Sequence, residues 1–144
     1  MSDPFDLGRF VTAQADSYAA ALDEIRGGAK RSHWMWHIFP QIASLGHSDM
    51  ARRYAIRSLD EARAFLEHPV LGARLRECLT VLQGLEEGTA TSIFGEIDAM
   101  KLRSSLTLFE QAGGGPLFAA AIDRWFASEP DPATLSILGS TNLE

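Results

Sequence analysis

The chain has 144 residues, 46% of them hydrophobic and 22% charged, with a formal net charge of −6. A chain of this length fits one domain that buries about two thirds of its unfolded surface without a disulfide or metal staple, and the composition excludes a disordered tail. The acidic balance argues against nucleic acid and anionic membranes as partners, because phosphate binding rests on Lys and Arg.

The start, MSDPFDLGRF, lacks the basic and apolar regions of an export signal. No apolar run approaches the ~20 residues that cross a bilayer, so the sequence reads as cytoplasmic. Asp3-Pro4 is a helix-start pair, followed at helical spacing by Leu7, Phe10, Val11 and Gln14. A second helix is predicted from Asp16 or Ser17, with the stripe Tyr18, Ala21, Leu22 and Ile25, closed by Gly27-Gly28. Residues 30–41, KRSHWMWHIFPQ, are aromatic or aliphatic on every side if helical, and such a segment belongs inside a protein. Successive helical residues turn by about 100° each, so Trp34 and Trp36, two positions apart, cannot both face one way, which predicts Trp34 in the core and Trp36 nearer a cleft.

Pro40 ends that segment, and residues 42–46 read as a connector. Ser48 can cap a short helix through Met50 and Tyr54, and Ser58-Leu59-Asp60-Glu61 has the form of a capping box before Ala62, Phe65 and Leu66. That helix should end at His68, because Pro69 disfavours a helical residue before it. Leu71, Leu75, Cys78, Leu79 and Leu82 make the clearest amphipathic helix, and place the lone cysteine as a buried, inert thiol. One turn is predicted at 91–94. Asp98 can then cap a helix carrying Ala99, Leu102, Leu106 and Phe109 inward, as far as Gly113, Gly114 and Gly115. Pro116 restarts the chain with Phe118, Ile122, Trp125 and Phe126, and Asp131-Pro132 opens a last short helix through Leu138. Nothing alternates with the two-residue repeat of a strand. The predicted fold is all-α, a compact single-domain multihelical bundle over residues 3–139, with about seven to nine helices.

The stretches DPFDLGRF, KRSHWMWHIFPQ, RRYAIRSLDEARAFLEHPVLGARLREC, SIFGEIDAMKLRSSLTLF and DPATLSILG together resemble the domain-of-unknown-function family number 1810. The resemblance runs from Asp3 to Gly139 and implies a mainly α-helical single domain of bacterial type. It implies no activity. His37 departs from the family pattern, where an aromatic residue is common, and this argues against an essential role for it.

Several clusters could carry chemistry. His33 and His37 have the i, i+4 spacing of helical zinc ligands, but Trp34 stands where a zinc protease has its glutamate, and no third ligand follows at a diagnostic spacing. No metal is expected, and no cofactor is indicated. Gly27, Gly28, Lys30, Arg31 and Ser32 lack the spacing of a Walker loop, although glycines, cations and a hydroxyl before a helix suit an anion. Lys101 and Ser105 are neighbours on one flank of their helix, so a lysine-activated serine is conceivable, against the simpler reading that Ser105 bonds its own helix backbone. Arg52, Arg53 and Arg57, with Tyr54, could meet RNA or a phosphorylated partner. Asp49, Asp60 and Glu61 beside them favour a solvated, salt-bridged surface instead.

The expectation drawn from these clusters is a small-molecule domain, enzymatic or not. Its cleft would be lined by Lys30, Arg31, Ser32, His33, Trp36, Lys101, Arg103 and Ser105, for an anionic ligand bearing phosphate or carboxylate. The catalytic candidates are His33, Lys101 and Ser105. The two cationic segments should meet in space. The alternative is a non-catalytic protein-interaction module with a flat apolar patch.

Overall fold

The computed structural model describes the backbone of residues 3–142 and the side chains of residues 3–139. Among the described residues there are nine helices: α1 (Gly8–Arg26), α2 (Met35–Ile38), α3 (Asp49–Arg53), α4 (Leu59–Glu67), α5 (Leu71–Gln83), α6 (Ala90–Phe94), α7 (Glu96–Gln111), α8 (Pro116–Phe126) and α9 (Pro132–Asn142). They form an all-α, compact multihelical bundle. The only pairing of extended backbone among the described residues is an isolated bridge between Ile42 and Ile56. No helix among them is long and apolar enough to cross a membrane.

Local chemistry sets most of the helix ends. Ser48 and Ser58 accept hydrogen bonds from the amides of Ala51 and Glu61, each at 3.1 Å, as N-caps should. Glu61 completes no reciprocal box with Ser58, because its carboxylate accepts from the Arg57 amide and the Arg9 guanidinium. Thr89 and Ser92 make the reciprocal box instead, at the start of α6. Asp131 accepts from the Thr134 amide at 3.1 Å and starts α9.

Three predicted boundaries moved. The two helices expected before Gly27 are one, α1, and it starts at Gly8; the Asp3 carboxylate accepts from the amides of Leu7 and Gly8 at 2.8 and 2.9 Å. Ser17 does not interrupt the helix because its hydroxyl bonds back to the Ala13 carbonyl at 3.1 Å. Helix α7 begins at Glu96, so Asp98 lies inside its first turn rather than capping it. Helix α2 covers only four residues of the aromatic run, and residues 30–34 lead into it as irregular chain.

Helix α7 is the centre of the packing and touches α2, α4, α6, α8 and α9. Its residues 104–109 are all buried, so it is core on every side rather than on one face. Phe10, Phe65, Phe109 and Phe118 form a chain of ring contacts across the core, at centroid distances of 5.1, 5.1 and 6.2 Å. Cys78 is fully buried, and burial pushes its thiol up to about 12, which leaves it protonated and unreactive.

Candidate functional site

The end of α1 shapes the segment that leads into the site. Gly28 takes a positive φ of 74°, which lets the chain reverse, and the Lys30 amide then donates to the Ile93 carbonyl at 2.7 Å. Glu24, one turn earlier, clamps the reversed segment. Its carboxylate accepts from the amides of Arg31 and Ser32 at 2.6 and 2.8 Å, from the Ser32 hydroxyl at 2.6 Å and from the Trp34 indole at 3.0 Å. Burial pushes this carboxyl up, but those four donors outweigh it and hold the group at about 2. Trp34 is wholly buried, and Trp36 is half-buried and open to a cleft, as expected, although Trp34 precedes α2 and the helix repeat does not set its direction.

The two cationic segments do converge. Lys30 Nζ lies 2.8 Å from one oxygen of Asp98, and Lys101 Nζ lies 3.7 Å from the other. Lys30 is well enclosed: it also donates to the Ser32 carbonyl at 2.5 Å and sits 5.0 Å from the centre of the Trp34 ring. Lys101 is looser, with its ammonium 4.7 Å from the centre of the Trp36 ring. Both line an open groove of about 580 Å3, together with His33, Met35, Trp36, Phe94 and the first turn of α7. One carboxylate between two ammonium groups leaves that trio a single net positive charge, which Glu96, also in the lining, balances. A second groove of about 390 Å3 lies on the other side of Lys101, bounded by Leu45, Ser104 and Asp131. Ile97 lines both grooves and Met100 the second, and they are 72% and 71% exposed.

Four expected site residues point elsewhere. Arg31 lines a separate cleft with Asp23, Glu24 and Gly27, and Ser32 is spent on Glu24. Arg103 donates to the carbonyls of Glu129 and Pro130 at 2.8 and 3.0 Å and fixes the turn before α9. Ser105 is fully buried and its hydroxyl has no hydrogen-bond partner, so neither the serine-nucleophile reading nor the backbone-bonded one describes it. Its neighbour Ser104 makes the backbone bond, to the Met100 carbonyl at 3.1 Å. His33 and His37 do not share a helix face: His33 precedes α2 and is exposed, whereas His37 is buried with Nε2 2.7 Å from the Ser17 hydroxyl. Among the described residues no cluster of three or more His, Cys, Asp or Glu could hold a metal ion.

Sequence reasoning missed Glu24 and the pairing role of Asp98. Asp98 stood out only as a cap, and Glu24 had no signal beyond being an acid one turn before a glycine reversal.

The fold and this site define a small helical domain with an aromatic groove and a lysine pair held on one aspartate. The chain belongs to the family described as "Protein of unknown function (DUF1810)", whose model matches residues 4–138. Among solved structures it is similar to the conserved hypothetical protein Rv1873 from Mycobacterium tuberculosis, with 44% identity and a TM-score of 0.93, over 95% of this chain and 99% of that one. A comparison with curated proteins gave no match.

Proposed function

We propose that this is a ligand-binding domain, and that the groove between Trp36 and the start of α7 takes a small molecule with an anionic group and an apolar or ring-shaped body. The observation that carries the reading is the placement of Lys101. Its ammonium lies over the Trp36 ring, only loosely paired with Asp98, beside the apolar wall of Met35, Phe94 and Ile97. A cation on an aromatic face next to apolar surface suits a ligand of mixed character. Lys30 acts through Asp98, which it holds in place, and exposed His33 lies in the lining beside it. Arg31, Ser32, Arg103 and Ser105 stay outside this site for the reasons of placement given above.

The test is a thermal-shift screen with phosphorylated metabolites, nucleotides and small carboxylates. A ligand at a hundred times its dissociation constant stabilises by about 2.7 kcal/mol, which raises the melting temperature by roughly 8 °C in a chain of this size. Lys101→Ala and Trp36→Ala should abolish the shift, and Arg31→Ala should retain it. A shift that survives Lys101→Ala and Trp36→Ala refutes the placement. A second reading, a protein-interaction module, is favoured by one observation: Ile97 and Met100 expose two large apolar side chains side by side on α7. Self-association or partner capture lost in Ile97→Asp, with no small-molecule shift, would favour that reading.

A further inference from the structure

Trp36 also lines a smaller and more enclosed recess of about 130 Å3. Trp36 and Tyr54 are its aromatic lining residues, Gln41 and Ser44 its polar ones, and Arg52 and Arg57 its basic ones. We propose that this recess is a binding site for a small ligand whose carboxylate or phosphate is held by Arg52 and Arg57 and whose flat body lies against Trp36 and Tyr54.

Charge is the first reason. No Asp or Glu lines the recess, in a protein with a net charge of −6, whereas the lysine groove contains both Asp98 and Glu96. Neither Arg52 nor Arg57 makes a salt bridge with the described residues, although acids lie nearby in the chain. Of those acids, Asp60 pairs with Arg63 at 3.1 Å and buried Glu61 pairs with Arg9 at 2.8 Å, while Asp49, three residues before Arg52 on α3, makes no salt bridge with either arginine. Asp60–Arg63 is an exposed pair and Arg9–Glu61 a buried one, and neither takes up Arg52 or Arg57. Arg53 is occupied differently, with its guanidinium 5.5 Å from the centre of the Tyr54 ring. Two arginines lining one recess, without an acid in that lining, leave it positive, and a planar guanidinium fork matches a carboxylate or phosphate.

Rigidity is the second. The floor is fastened by the backbone bridge, with the Ala43 amide 2.7 Å from the Ile56 carbonyl and the Ile56 amide 2.8 Å from the Gln41 carbonyl. The wall over α3 is close enough that a Cβ at Gly46 would come within 2.5 Å of the Ala51 methyl. Ser44, on the rim, holds a φ of +86°, a conformation that costs a non-glycine residue about 1–3 kcal/mol and gathers at ligand clamps. Tyr54, almost wholly buried, is a fixed part of the lining.

Size sets the class. A cavity of roughly 150 Å3 holds one benzene ring, so the recess takes one small ring or one oxyanion with a short stem, and a whole nucleotide does not fit inside it. The ligand class is then an aryl or short-chain carboxylate or phosphate ester.

Isothermal titration of the full chain at low salt with benzoate, phenyl phosphate and inorganic phosphate, and with neutral benzyl alcohol as control, tests this. At least one anion should bind, and benzyl alcohol at least about tenfold more weakly. Arg52→Gln and Arg57→Gln, at exposed positions that leave the melting temperature unchanged, should each weaken binding by about tenfold or more, and salt should weaken it further. Gly46→Ala, which keeps both charges but displaces the wall, should also weaken it. Lys101→Ala should bind the anion within about twofold of the unaltered protein, which separates this site from the lysine groove. Binding that survives both arginine substitutions, or no heat with any of the three anions, overturns the proposal. Loss in Lys101→Ala alone overturns it too, and assigns the anion to the groove.

Discussion

Removing the Glu24 side chain should unfasten the segment that carries Lys30, His33 and Trp34. Four donors converge on its carboxylate, and three of them, the amides of Arg31 and Ser32 and the Ser32 hydroxyl, can turn to water when it is lost. The fourth cannot: the indole N–H belongs to a wholly buried Trp34, and an unsatisfied buried donor costs about 1–3 kcal/mol. With the lost charge-assisted bonds added, Glu24→Ala should destabilise by about 3 kcal/mol, a fall of roughly 10 °C in melting temperature. Glu24→Gln should cost only about 1 kcal/mol, because its carbonyl oxygen can still serve the two amides and the indole while the Ser32 hydroxyl rotates to accept from the new amide. The charge is read separately through pH. The carboxyl sits at about 2 when folded against an ordinary 4.5, so its contribution is complete above pH 4.5 and is lost as pH falls toward about 2. The whole shift corresponds to about 3 kcal/mol, which solvent screening of this partly exposed group reduces to about 1–2. Chemical denaturation at pH 7 and pH 3 measures both effects. Equal losses in the Ala and Gln variants at pH 7, or a Gln variant as acid-sensitive as the unaltered protein, refute the clamp.

Ser105→Ala should raise stability by about 1 kcal/mol, because it removes a buried hydroxyl without a partner and keeps the helix; a loss in urea denaturation would mean that Oγ is bonded after all. Burial lowers the His37 pKa below its ordinary 6.5, so the unfolded chain takes up a proton first and stability should decline as pH falls through 6.5, levelling off below the folded value. His37→Phe should flatten that slope between pH 7.5 and 5.5, and an unchanged slope assigns the effect to other groups. Trp34→Ala should cost about 3–5 kcal/mol, enough to leave much of the chain unfolded by circular dichroism, since the ring contacts both Phe39 and Phe94 and anchors the Glu24 clamp.

Chain-neighbour chemistry was legible without coordinates. The caps at Ser48 and Ser58, the stop before Pro69 and the apolar stripe of α5 all follow from residues a few positions apart, whose geometry the helix repeat sets. Packing overrode local signals where burial outweighed them. Ser17 reads as a possible cap, yet α1 runs through it because Phe10, Ala21 and Ile25 all gain by lying on one continuous helix against the core. Six consecutive residues of α7 are buried because five other helices surround it, and no single stripe can report that. The site was legible in residue type but not in pairing. Lys30 and Lys101 were visible as cations, while Asp98 as their shared counter-charge, Glu24 as the clamp, and the acids withdrawn from Arg52 and Arg57 by Arg9 and Arg63 depend on groups brought together from distant parts of the chain. Helix periodicity carries information over one or two turns, whereas charge pairing is decided by distances of a few ångströms in space, and only the folded chain sets those.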